Sequence, residues 1–165
     1  MAFLPIPAAL VVALFLGGLH AGSLAFVSAV TARALGQLAT AGEAAALRVF
    51  FRVWWPAGRD WMAPLGATSA AAYASLAAAA SVGPTAGRVA PTRGAATAAG
   101  AAVAVGFTIV WTVAFMGEDI APLRGRGAAA DDRVAATAHR FCSRHHFRAV
   151  LSLGAYMAVL LVFCW

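Results

Sequence analysis

The sequence has no lysine and no asparagine, a single glutamine (Gln37) and only two cysteines, Cys142 and Cys164, in 165 residues. Two cysteines exclude a disulfide framework. Charged residues are also scarce, at 11% against roughly a quarter in soluble domains. In their place, 62% of the residues are hydrophobic and the mean hydropathy is +0.82. That balance excludes a water-soluble globule, because a chain this short must leave a large share of its residues facing water. It also excludes intrinsic disorder, which needs low hydrophobicity. All 12 basic residues are arginine, beside 45 alanines. This is the profile of GC-rich coding, so the missing lysine carries little functional weight. The net charge of +6 would suit a nucleic-acid binder, but the arginines lie between apolar runs and not on a soluble face, which excludes that partner. What remains is a small integral membrane protein, residues 1–165 forming one transmembrane domain.

A bilayer core takes about 20 apolar residues per helix. Four runs qualify, at residues 6–32, 62–82, 95–116 and 149–165. Pro5 and Pro7 suit a helix start, and Gly83-Pro84 ends the second run. The first run does not read as a secretory signal, since no basic residue precedes Arg33 and the run is too long. Gly18 and Gly22, and Gly100 and Ala104, have the spacing that lets helix backbones approach in lipid. The expected fold is an all-α membrane four-helix bundle.

The arginines predict its orientation. Ten of them (Arg33, Arg48, Arg52, Arg59, Arg124, Arg126, Arg133, Arg140, Arg144 and Arg148) fall in the loops 33–61 and 117–148, and only Arg88 and Arg93 lie between spans two and three. By the positive-inside rule the long loops face the cytosol and both termini are luminal or extracytoplasmic. Cys142 and Cys164 then lie on opposite sides and cannot pair. Glu43 to Trp55 reads as an amphipathic interfacial helix lying on the membrane, with Leu47, Phe50, Phe51 and Trp54 apolar and Arg48 and Arg52 one turn apart. Trp54, Trp55 and Trp61 read as anchors at headgroup level. Asp131 to His146 reads as a helix that can run on into span four, its two aspartates suiting the positive N-terminal end. Arg124-Gly125-Arg126-Gly127 reads as a flexible stretch.

His20 is the only clearly ionisable group inside a span. Such groups are candidates for function, here as a base, proton carrier or ligand; the plain alternative is a neutral ring hydrogen-bonded to Ser23 or a neighbouring helix carbonyl. The densest cluster is His139, Arg140, Arg144, His145, His146 and Arg148. His145 and Arg148 share a helix face where span four enters the membrane. A base beside a cation there can deprotonate an acidic carbon and hold the anion; the alternative is a positive-inside stop signal with incidental histidines. Glu118 and Asp119 follow Met116. They are either solvated or arginine-paired interface charges, or one of them pairs with Arg148 and fixes the bundle mouth. His-x-x-x-His, Cys-x-x-Cys and carboxylate-histidine patterns are absent, so metal ligation has weak support. A bis-histidine haem would need His20 with His145 or His146.

Three stretches carry a resemblance: Trp54/Trp55-Pro56-x-Gly58 through Pro64, Phe107-Thr108-Ile109-Val110 through Met116 to Leu123, and Phe141-x-x-x-His145-x-x-Arg148-Ala149-Val150-Leu151. Their order and spacing, with Gly18-x-x-x-Gly22, resemble the anthrone oxygenase-like family of small four-span membrane proteins, formerly a domain of unknown function. One departure is Gly117-Glu118-Asp119-Ile120, where members often carry Thr-Asn; Glu118 or Asp119 then stands in for that asparagine. The resemblance implies a cofactor-independent oxygenase of polyketide biosynthesis, turning an anthrone or similar polyphenol into a quinone with O2. Its implied partners are an apolar aromatic substrate, O2 and the lipid bilayer, with a homo-oligomer left open. It makes His145 the first choice of base, Arg148 the anion stabiliser and His20 an alternative base or relay, with Trp111 and Tyr73 as surfaces on which rings stack. The competing expectation is a non-catalytic membrane scaffold or carrier subunit. It has no need for His20, His145 and Arg148 to meet.

Overall fold

The computed structural model describes residues 6–82, 91–125 and 131–165, and every regular element within them is helical. Helices α1 (Ile6–Phe26) and α2 (Ala32–Thr40) form one rod through a π-helical turn at Val27–Thr31. Helix α3 (Ala44–Val82) is continuous. Helices α4 (Pro91–Trp111) and α5 (Gly117–Leu123) form a third rod through a second π-helical turn, Thr112–Met116, and α6 (Asp131–Cys164) is the fourth. Pro5, the Gly83-Pro84 end of span two, Arg88 and the Arg126-Gly127 part of the glycine-arginine stretch lie outside the described residues.

Helical periodicity places each rod. Along α6, Val134, Ala138, Phe141, His145, Arg148 and Ser152 are buried; steps of three and four keep them on one face. Helix α1 packs on α3 and α6, and α4 packs on the same two. The rods therefore stand in a ring in chain order, an up-down-up-down bundle. Between α2 and α3 the chain reverses at Gly42, whose φ is +74°. Its N–H bonds the Ala39 carbonyl at 3.2 Å, and the Glu43 N–H bonds the Leu38 carbonyl at 2.9 Å. That pairing stops a helix in the left-handed conformation that glycine tolerates.

Among the described residues four helices are long and apolar enough to cross a membrane, and each expected span falls on one of them, to within one residue at the chain ends. The helices are longer than expected. The first rod runs 34 residues from Pro7 to Thr40, about 50 Å against about 30 Å of hydrocarbon. The extra length is at the end of the bundle where α2 meets α3 and where α5 leads to α6. Residues 33–61 and the described part of 117–148 are mostly helix, and the helix expected over Asp131–His146 runs on into span four as α6. The helix expected over Glu43–Trp55 exists, but as the first part of α3 and not as a separate element on the membrane surface. Its apolar side is covered by protein: Leu47 and Phe51 are buried with Val134 and Phe141, and the Phe51 and Phe141 rings meet edge-on at 4.9 Å. The extension of α6 supplies the apolar partner that lipid would otherwise supply.

The buried residues form two separate cores. One joins Leu35, Leu47, Phe51, Leu123 and Phe141 in the extended end. The other joins Ala13, Tyr73, Leu76, Val105 and Val159 deeper in the spans. Between them each rod contributes buried polar groups: His20 and Ser28, Ser69, Thr108, then His145, Arg148 and Ser152. Both π-helical turns border this middle layer, and Pro56 and Pro64 lie inside α3 beside it. Proline has no N–H to give, so the carbonyls four residues earlier lose their helical donors. Ser69 Oγ ties the layer together by donating to the Leu16 carbonyl of α1 at 3.0 Å and to Leu65 at 2.7 Å.

The deeper core depends on one close approach. Tyr73 is fully buried, and a Cβ on Gly17 would lie 1.9 Å from its Oη. Gly17→Ala is therefore expected to lower bundle stability by about 1–3 kcal/mol, the usual cost of overpacking. Gly100→Ala, with nothing within 4 Å of the added methyl, should leave stability level or raise it by up to about 1 kcal/mol. Thermal midpoints of the two variants in one detergent check the contrast; equal midpoints would refute it.

Candidate functional site

The middle layer encloses a cavity of about 790 Å³ lined by all four rods. His20 comes from α1, Trp54 and Trp55 from α3, Ile109 from α4, and Phe141, His145 and Arg148 from α6. Most of the wall is apolar. Phe26, Trp61 and Val113 also line it and are exposed, so the cavity reaches the outer surface of the bundle.

The polar atoms concentrate on one side. His20, His145 and Arg148 are 2%, 3% and 8% exposed. The Arg148 charge acts on both imidazoles. Arg148 Nη1 lies 3.5 Å from His145 Nδ1 and 3.7 Å from Met116 Sδ. A guanidinium can only donate, so His145 Nδ1 accepts, and the proton of the neutral ring sits on Nε2. His145 thereby presents an N–H and not a lone pair. Its ring stacks on Phe141 at 6.3 Å and 12° and interacts with the Leu24 backbone, which fixes it between α1 and α6. His20 differs: Nδ1 has no hydrogen-bond partner, and Nε2 lies against Gly66, where a Cβ would come within 3.3 Å. It makes no bond to Ser23. Gly66 is thus the gap in α3 that admits the His20 ring, a role that the sequence did not reveal.

Other residues singled out from the sequence fall elsewhere. Tyr73 belongs to the deeper core and does not line the cavity. Trp111 packs with Phe107, Phe115 and Phe147 at 5.7, 4.5 and 4.7 Å, also off the cavity wall. Glu118 is exposed. Asp119 is fully buried, and its partners are Arg140 and Arg144, each at 2.7 Å, not Arg148. This pairing ties α5 to α6. Arg144 also donates to the Phe115 carbonyl in the second π-helical turn. At the first π-helical turn, Ser28 hydrogen-bonds His146, and Cys142 Sγ donates to the Ala32 carbonyl at 3.3 Å. Helix α6 thus stitches both irregular turns. No sequence pattern marks the Ser28–His146 pair, and by sequence Trp54 and Trp55 read as membrane anchors, not as cavity wall.

Among the described residues no group of three or more His, Cys, Asp or Glu is placed to hold a metal ion. No protein-family model, curated protein or solved structure matches this chain.

The two carboxylates can be told apart by substitution. Asp119→Ala strands two arginines beside the second π-helical turn. It should cost about 1–3 kcal/mol, held to that range because Arg140 reaches solvent. Glu118→Ala should stay within about 0.5 kcal/mol. Thermal unfolding of both variants is the check, and equal effects would contradict the pairing.

Proposed function

We propose that this chain is a membrane-embedded oxygenase that oxidises an anthrone or a similar polyketide polyphenol to a quinone with O2, its own side chains supplying the acid-base and electrostatic groups. One observation carries the reading: His20, His145 and Arg148, from two helices, line a single apolar cavity. A scaffold subunit has no use for that convergence. An apolar bundle also suits O2 and a flat polycyclic substrate.

The tautomer of His145 sets the roles. His20 is the base: its imidazole takes a proton from the ring CH2 that lies between the two arene rings. The electron pair spreads onto the ring carbonyl, which becomes a phenolate oxygen. Arg148 faces that oxygen and stabilises its charge. The electron-rich anion passes one electron to O2, and the two radicals join in a C–O bond. His20 returns its proton, giving a hydroperoxide. Loss of the remaining C–H proton together with hydroxide leaves the second carbonyl, so CH2 and O2 become C=O and H2O. The arginine-rich end of the bundle faces the cytosol in this reading, by the positive-inside rule.

Oxygen uptake with an anthrone in detergent is the test. The purified protein should consume O2 faster than protein-free micelles, and His20→Ala should lower the protein-dependent rate by about 10²-fold or more. A rate no higher than the spontaneous one would refute the oxygenase reading for that substrate. Full turnover by His20→Ala would remove His20 as base.

A further inference from the structure

We infer that the cavity is a binding site for an apolar, flat monoanion, with the ionised oxygen on Arg148 and the ring body among Trp54, Trp55, Ile109 and Phe141. The inference deepens the proposed function and rests on the same site, naming the charge state in which a ligand is held there.

The argument starts from charge. Two arginines line the cavity. Arg59 is paired with Asp60 at 2.7 Å. Arg148 has no carboxylate partner among the described residues, and its Nε has no hydrogen-bond partner at all. Its contacts are a thioether sulfur and the imidazole of His145, and neither carries negative charge. A buried cation without a counterion is costly, and arginine cannot escape the cost by losing its proton. The carboxylate best placed to neutralise it, Asp119, is held by Arg140 and Arg144. The bundle thus keeps one positive charge uncompensated at a cavity wall.

The neighbouring polar atoms point to the same ligand. His145 carries its proton on Nε2, is fixed against the Leu24 backbone and adds no charge of its own beside the guanidinium. One cation matches a single ionised oxygen, whereas a dianion would leave a charge without a partner. Most of the remaining wall is apolar and aromatic, which favours a ring system over small hydrated anions. The volume of about 790 Å³ lies in the upper part of the usual range for drug-sized ligands.

The experiment uses the full chain in a non-ionic detergent with two fluorescent probes of one tricyclic shape, 9-anthracenecarboxylate and neutral 9-anthracenemethanol. The carboxylate should bind at least about tenfold more tightly, as expected for a hydrogen bond to a charged group. Arg148→Met should abolish the preference while keeping the neutral probe bound, and Arg133→Gln, at an exposed arginine away from the cavity, should preserve it. Without ligand, Arg148→Met should melt no lower than the wild type, because an unpaired buried charge has been replaced by an apolar side chain of similar length. Equal affinities for the two probes, or an anion preference that survives Arg148→Met, would overturn the inference. If Arg148→Met does not fold, the two probes on the wild-type chain still decide. Anion preference without O2 consumption would sink the oxygenase reading and leave the binding site standing.

Discussion

A bundle in hydrocarbon must satisfy its polar groups from within, and one buried cation here meets no carboxylate among the described residues. Arg148 is buried between two apolar cores, on the helix that also carries its nearest nitrogen neighbour, His145. Around it the other rods depart from regular helix: a π-helical turn in the first and third and two prolines in the second. Regular helices packed at bundle distance would close over this layer. The interruptions hold it open, and side chains from α6 satisfy carbonyls and hydroxyls at both π-helical turns. The fold thus supports a polar gap by sewing its edges to one helix.

The two cores divide the work of stability. The deeper core is built from alanine, leucine and valine around Tyr73 and relies on close approach at Gly17. The core at the extended end is aromatic, with Phe51, Phe141, Trp54 and Trp55 in edge and tilted contacts. Arg48–Asp131 at 2.9 Å and the Asp119 pairs fasten its rim. Phe141, Trp54 and Trp55 belong to this core and also line the cavity, whereas Tyr73, Leu76 and Val159 of the deeper core stand off its wall.

Much of this was legible in the sequence. The four spans followed from length and apolarity, and the helix across Asp131–His146 into span four followed from periodicity. The i, i+3 spacing of His145 and Arg148 put them on one face before any coordinates. The rest was hidden for identifiable reasons. Apolarity does not say whether a side chain faces lipid or protein, so Trp54, Trp55, Tyr73 and Trp111 could not be sorted into wall, core and surface. The apolar stripe of Glu43–Trp55 was real, but its partner lies far along the chain on α6. The choice of Asp119 over Glu118, and of Arg144 over Arg148, turns on the second π-helical turn. One extra residue in a turn rotates all that follows by about 100°, and no local sequence signal marked it. Gly66 was one of many small residues until the His20 ring was seen against it.

Helix α6 is the only rod with neither a proline nor a π-helical turn inside it. It therefore acts as a fixed rail, and the spacing between His145 and Arg148 is set by a single uninterrupted turn of helix. The three rods facing it carry the compliant joints. When the walls yield to a guest, the pair on the rail keeps its spacing, so the shape of the chamber can adapt while His145 and Arg148 stay in register.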